Sequence, residues 1–101
     1  MSILHTVNKS PFERPAVESC AQYALPGSAI LLIEDGVYAA RAGTRVQAAL
    51  EALTDVRIFA LEPDLKARGI RSDDVFEGVT VVGYDGFVDL AVEHDKIQSW
   101  L

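Results

Sequence analysis

Four short apolar runs, at residues 3–7, 29–33, 56–61 and 79–82, are the feature that most narrows what this chain can fold into. All are rich in Ile, Val or Leu and carry little polar alternation, as strands covered on both faces of a parallel sheet do. The segments between them carry a helical period instead. Val46, Ala49, Leu50 and Leu53 fall at i, i+3, i+4 and i+7, and so do Phe87, Leu90, Ala91 and His94. Strands alternating with helices in this way predict an open, mostly parallel α/β sheet of about four to five strands, with helices on both faces.

Turn chemistry agrees with that alternation. Ser10-Pro11 reads as an N-cap followed by Pro at the first helical position, and predicts a helix from about Pro11 to Ala24 that Leu25-Pro26-Gly27 ends. Pro63 opens a short helical turn that Gly69 closes, with Lys66 and Arg68 near its negative end. Asp85 is placed to cap the last helix. Residues 96–101 lack a helical period and are expected to pack as an edge strand or arm. With 101 residues and no linker, repeat or low-complexity stretch, residues 1–101 are expected to form one domain around one core.

Charge and composition exclude several functions. The net charge is −6, and the basic residues are scattered, with Lys66, Arg68 and Arg71 interrupted by apolar or small residues. A surface that tracks phosphates needs a basic stripe, so direct nucleic-acid binding is not expected. An acidic chain suits solubility, or docking to a basic protein. The longest apolar run, Ala29-Ile30-Leu31-Leu32-Ile33, is too short to cross a bilayer. Met1-Ser2-Ile3-Leu4-His5 has no charged region followed by a long apolar stretch. Cys20 is the only cysteine, so no intramolecular disulfide can form. The expectation is a cytoplasmic protein without membrane contact. Half of the residues are hydrophobic, a rich share for so short a chain and consistent with apolar surface given over to a partner.

In open parallel sheets ligands bind at the carboxyl ends of the strands. Those ends fall here at Val7-Asn8-Lys9-Ser10, Glu34-Asp35-Gly36, Leu61-Glu62-Pro63 and Gly83-Tyr84-Asp85. None carries a G-x-G-x-x-G or Walker pattern, so a nucleotide site is disfavoured against a capped helix start. Glu34, Asp35 and Asp85 have the hard oxygens that Mg²⁺ takes. Asp35-Gly36 as a turn and Asp85 as a cap account for them more simply. One Cys and two widely spaced His do not make a zinc set, and His5 and His94 read as packing or surface residues. No cofactor or metal is expected.

Cys20 is the candidate for chemistry. Sulfur transfer needs thiolate character. On the expected helix Cys20 shares a face with Phe12, Ala16, Tyr23 and Ala24, and it sits in the second half, where the helix dipole disfavours an anion. The local sequence favours a buried structural cysteine, and neighbours brought by the fold or by a partner decide the matter.

As a whole the chain resembles the DsrH/TusB family of sulfur-relay subunits. The likeness is carried by Leu4-His5-Thr6-Val7-Asn8-Lys9-Ser10-Pro11-Phe12, by Leu31-Leu32-Ile33-Glu34-Asp35-Gly36-Val37-Tyr38-Ala39-Ala40, and by Asp64-Leu65-Lys66-Ala67-Arg68-Gly69. Gly86-Phe87-Val88-Asp89-Leu90 and the closing Trp100 also match. The resemblance implies a DsrE-like α/β/α fold. It also implies a place in a heterohexameric sulfurtransferase beside DsrE/TusD-like and DsrF/TusC-like subunits. Such complexes pass persulfide sulfur from one cysteine to the next, toward a carrier of the DsrC/TusE type. The main acceptor thiol is then expected on a sister subunit. Two branches exist, one feeding dissimilatory sulfur oxidation and one supplying 2-thiouridine at the tRNA wobble position. Cys20 falls where the DsrH branch carries its cysteine, which leans the expectation toward sulfur oxidation, with TusB-type tRNA thiolation as the alternative. Cys20 is accordingly either a persulfide carrier, or a core residue of a subunit whose part is structural.

Overall fold

The structure, a computed structural model, describes residues 2–101. Its five strands are β1 (Ile3–Val7), β2 (Ala29–Leu32), β3 (Arg57–Leu61), β4 (Val79–Val82) and β5 (Lys96–Trp100). All pair in parallel in the order β4-β3-β2-β1-β5. The four apolar runs are therefore strands, and the tail is the fifth, an edge strand beside β1 in which Trp100 pairs with Val7.

Strand order explains the layering. From β1 to β4 the chain steps across the sheet in one direction, and right-handed crossovers put every intervening segment on one face. That face carries α1 (Ala16–Tyr23), α2 (Gln47–Glu51) and α3 (Glu62–Ala67), together with a 3₁₀ segment at Glu34–Ala40. The last connection runs back from β4 to β5, so the same handedness puts α4 (Tyr84–Glu93) on the opposite face. Side-chain alternation along the strands feeds both layers. Val7, Ile30, Leu32, Ile58 and Ala60 pack under α1 to α3, while Leu4, Ala29, Leu31 and Phe59 pack against Leu90 of α4. The result is the α/β/α sandwich that the alternation of runs predicts, and no helix among the described residues is long and apolar enough to cross a membrane.

Three local expectations need correction. The first helix starts at Ala16, not near Pro11. Pro15 lacks the N–H that an interior helical residue would donate, and its ring would clash with the carbonyl of Pro11 one turn back. Residues 10–14 instead form a tight turn, in which the Ser10 carbonyl accepts from the backbone N–H groups of Glu13 and Arg14, each at 3.1 Å. The Ser10 hydroxyl accepts from Phe12 N–H at 3.1 Å, and Arg45 pins the turn by donating to the Pro11 carbonyl. Second, Gly83 rather than Asp85 occupies the cap position of α4, and Asp85 lies within its first turn, where its charge still complements the dipole. Third, the helix over residues 46–53 shrinks to Gln47–Glu51, with Val46 and Leu50 buried and Ala49 in solvent. The turn at the end of α3 does close on Gly69, whose φ of 70° a residue without a Cβ adopts at little cost.

Candidate functional site

Cys20 lies on the inner side of α1 with Ala16 and Val17, wholly buried in the cluster that contains Val7, Ile30 and Leu32. Phe12 and Tyr23, its expected companions on one face, are instead exposed, because the late helix start removes Phe12 from the helix and Tyr23 ends it. Burial pushes the Cys20 thiol up to about 12 from an ordinary value of 9.0. At pH 7 about one molecule in 10⁵ then carries the thiolate, the species that attacks sulfur. Within the chain alone Cys20 behaves as a small hydrophobe.

The carboxyl ends of the central strands are laced together rather than open. Ile33 N–H donates to the Val7 carbonyl at 3.0 Å, and Glu34 N–H donates to the Asp64 carboxylate at 2.7 Å. Arg68 Nε donates to Asp35 at 2.9 Å and Arg68 Nη1 to the Asp64 carbonyl at 3.1 Å, which ties the 3₁₀ segment to α3. Glu34 and Asp35 thus serve the join between two elements, while Asp85 belongs to α4. Among the described residues no group of three or more His, Cys, Asp or Glu gathers into a metal-binding set.

The two histidines are core residues. His94 Nδ1 lies 2.8 Å from the Leu90 carbonyl and therefore carries the proton on that nitrogen. His5, in the middle of β1, accepts a hydrogen bond at Nδ1 from the indole N–H of Trp100 at 3.0 Å, which fixes its proton on Nε2. That Nε2 is buried without a partner. Tyr23 stacks on Trp100 with ring centroids 6.0 Å apart, and Ile3, His5, Tyr23, Gln98 and Trp100 line a shallow trough where β5 runs past the end of α1. Burial, and secondarily the charge of His94, hold the His5 pKa below its ordinary value, so the ring is neutral near pH 7. This grouping escapes a linear reading because His5 and Trp100 are 95 residues apart, and only the return of the tail to the β1 edge joins them.

Large apolar side chains are exposed at both ends of α1, Phe12 before it and Tyr23 and Leu25 at its close, and along α4, at Tyr84, Val88 and Val92. The α4 residues have a sequence signal that a count begun at Phe87 misses. Tyr84, Phe87, Val88 and Ala91 also fall at i, i+3, i+4 and i+7, so Tyr84, Val88 and Val92 border the row of Phe87, Leu90 and Ala91 and widen the apolar arc beyond what the sheet covers.

The domain thus combines a parallel α/β/α sandwich, one thiol sealed in the core, a laced sheet end and exposed apolar side chains on its helices. Its family is plain from comparison with known proteins. The family described as "DsrH like protein" matches residues 9–97, and the chain belongs to it. The chain is 34% identical over 100 residues to Protein TusB of Pectobacterium atrosepticum, and 37% identical over 100 residues to Protein TusB of Erwinia tasmaniensis. In both cases the likeness covers 97% of this chain and 100% of the relative. Among solved structures, the YchN protein of E. coli superposes with a TM-score of 0.79 over 98% of each chain at 20% identity. A Methanobacterium thermoautotrophicum protein of unknown function gives 0.75 at 21% identity, covering 96% of this chain and 97% of that one. These structures share the fold, which is the α/β/α arrangement that the family resemblance implies.

Proposed function

We propose that this chain is a TusB-type subunit of a cytoplasmic sulfur-relay complex that serves 2-thiolation of the tRNA wobble uridine, and that its part in the complex is to assemble and shape it. The observation that carries the reading is the end-to-end likeness to TusB proteins. The case for dissimilatory sulfur oxidation rests on Cys20 alone. It gives way to relatives that bear the TusB name and to a thiol whose burial separates it from any such chemistry in the free chain.

In this reading the partners are TusD-like and TusC-like subunits in a heterohexamer, with a TusE-type carrier downstream. Each relay step is a thiol exchange. An acceptor thiolate attacks the outer sulfur of a donor persulfide, a new S–S bond forms, the donor's S–S bond breaks, and the donor leaves as a thiolate, so no external oxidant is needed. The acceptor must be ionised near neutral pH, and burial in the chain by itself works against ionisation of Cys20. That burial supports placing the working thiols on the sister subunits.

The test is complementation of a host that lacks its TusB protein, reading 2-thiouridine by nucleoside mass spectrometry and assembly by native mass spectrometry. Wild type and Cys20→Ser are expected to restore both. Loss of 2-thiouridine in Cys20→Ser with the hexamer intact would make Cys20 a relay thiol and refute the structural role. Failure of the wild type to restore 2-thiouridine, with its complex assembled, would refute the tRNA branch.

A further inference from the structure

The outer side of α4 carries Tyr84, Val88 and Val92 at exposures of 62%, 61% and 81%. The inner side of the same helix is already satisfied, since Phe87, Leu90 and Ala91 pack on Leu4, Leu31 and Phe59. The outer stripe therefore contributes nothing to the core of this chain. Ile97 of β5, 53% exposed, lies on the same side of the sheet as α4, because it pairs with the buried Leu4. The charge around the stripe has one sign. Helix α4 contains Asp85, Asp89 and Glu93 and no Lys or Arg. The base on this side, Arg57, is held over the Phe59 ring and paired with Glu93 at 2.9 Å. Lys96 points to the other face, in register with Ile3.

That charge pattern selects the occupant. A two-fold contact between copies of this chain would bring the Asp85 and Asp89 carboxylates of both helices together, and like charges across an interface oppose association. A different chain that offers an apolar patch rimmed by Lys or Arg would cover the stripe and answer the carboxylates together. We propose that the α4 outer stripe, Tyr84-Val88-Val92 with Ile97, is the surface by which this chain docks a non-identical subunit of basic rim. The inference rests on the assembly reading above and names the face of this chain that the assembly uses.

Val88 and Val92 are solvent-exposed, so Val88→Asp/Val92→Asp is expected to keep the wild-type circular dichroism spectrum and melting temperature. The chain is co-expressed with the TusD-like and TusC-like subunits of its own host. Assembly is read by native mass spectrometry, and affinity by titrating the purified chain onto the pair of sister subunits at two salt concentrations. The double variant is expected to bind about tenfold more weakly or worse, as truncated anchors at an interface centre do. Asp89→Lys is expected to weaken binding and flatten its salt dependence. A folded Val88→Asp/Val92→Asp that assembles like wild type would overturn the proposal while leaving the assembly reading intact. So would self-association of the wild type through the stripe, lost in the double variant. A wild type that binds neither sister subunit would remove the assembly reading, and the docking partner with it.

Discussion

Alkylation of Cys20 offers a direct measure of how firmly α1 is seated. Two barriers protect the thiol. Raising its pKa from 9.0 to about 12 lowers the thiolate fraction near neutral pH about 10³-fold, and complete burial denies the reagent contact. Reaction must then pass through an opening that lifts α1 from the sheet. That opening exposes Val17 and Cys20 together with the underlying Val7 and Ile30. At about 1.5–3 kcal/mol for each large aliphatic side chain returned to water, it costs more than about 4 kcal/mol. In the open form the thiol regains its ordinary pKa, so the two barriers do not multiply, and the opening alone suppresses labelling by at least about 10³-fold. Iodoacetamide labelling at pH 7.5, followed by intact mass and compared with the chain in denaturant, is therefore expected to be slowed about 10³-fold or more. The residual rate is expected to rise with low concentrations of urea, as an opening reaction does. Labelling within tenfold of the denatured rate would refute the reasoning, because a thiol that accessible could also take up sulfur.

Further expectations test the packing and the polar core. Leu31→Ala empties a fully buried position on the central strand β2 and is expected to cost about 2–5 kcal/mol in urea unfolding, with an unchanged slope. Gly36→Ala would drive a Cβ into the carbonyl of Val7, backbone against backbone, so it is expected to destabilise by more than the ~1 kcal/mol that a strained turn glycine alone would forfeit. The melting temperature should drop between pH 7 and pH 5. The folded state holds His5 below its ordinary value of 6.5, so the unfolded chain binds more protons in that window and stability falls as the pH falls through it. His5→Gln should flatten this part of the profile, and a melting temperature indifferent to pH in the wild type would contradict the burial of a neutral His5.

Much of the architecture is legible from residue order. Runs of Ile, Val and Leu without polar alternation must be covered on both sides, and only a parallel sheet with helices in the connections does so within this length. Pro63 and Gly69 bracket their helix because each restricts or frees φ locally, whatever the rest of the chain does. The same local logic fails at residues 10–15. There Ser10-Pro11 is a good helix start, and Pro15, four residues on, is a better reason for the helix to wait.

The site depends on information that no local window holds. That Cys20 is sealed follows from α1 lying over β1 and the edge strand β5, and strand order is a global outcome of four crossovers. The pairing of His5 with Trp100 needs the two ends of the chain to meet at one sheet edge. The role of the α4 stripe depends on how much of a broad apolar arc the sheet covers. Periodicity shows the arc, and only the packing of α4 on the sheet decides that Phe87, Leu90 and Ala91 are claimed while Tyr84, Val88 and Val92 stay exposed. Sequence alone thus determined the class of fold and the family. The tertiary structure decided which thiol, ring and helix face the solvent meets, because exposure is a property of how elements cover one another.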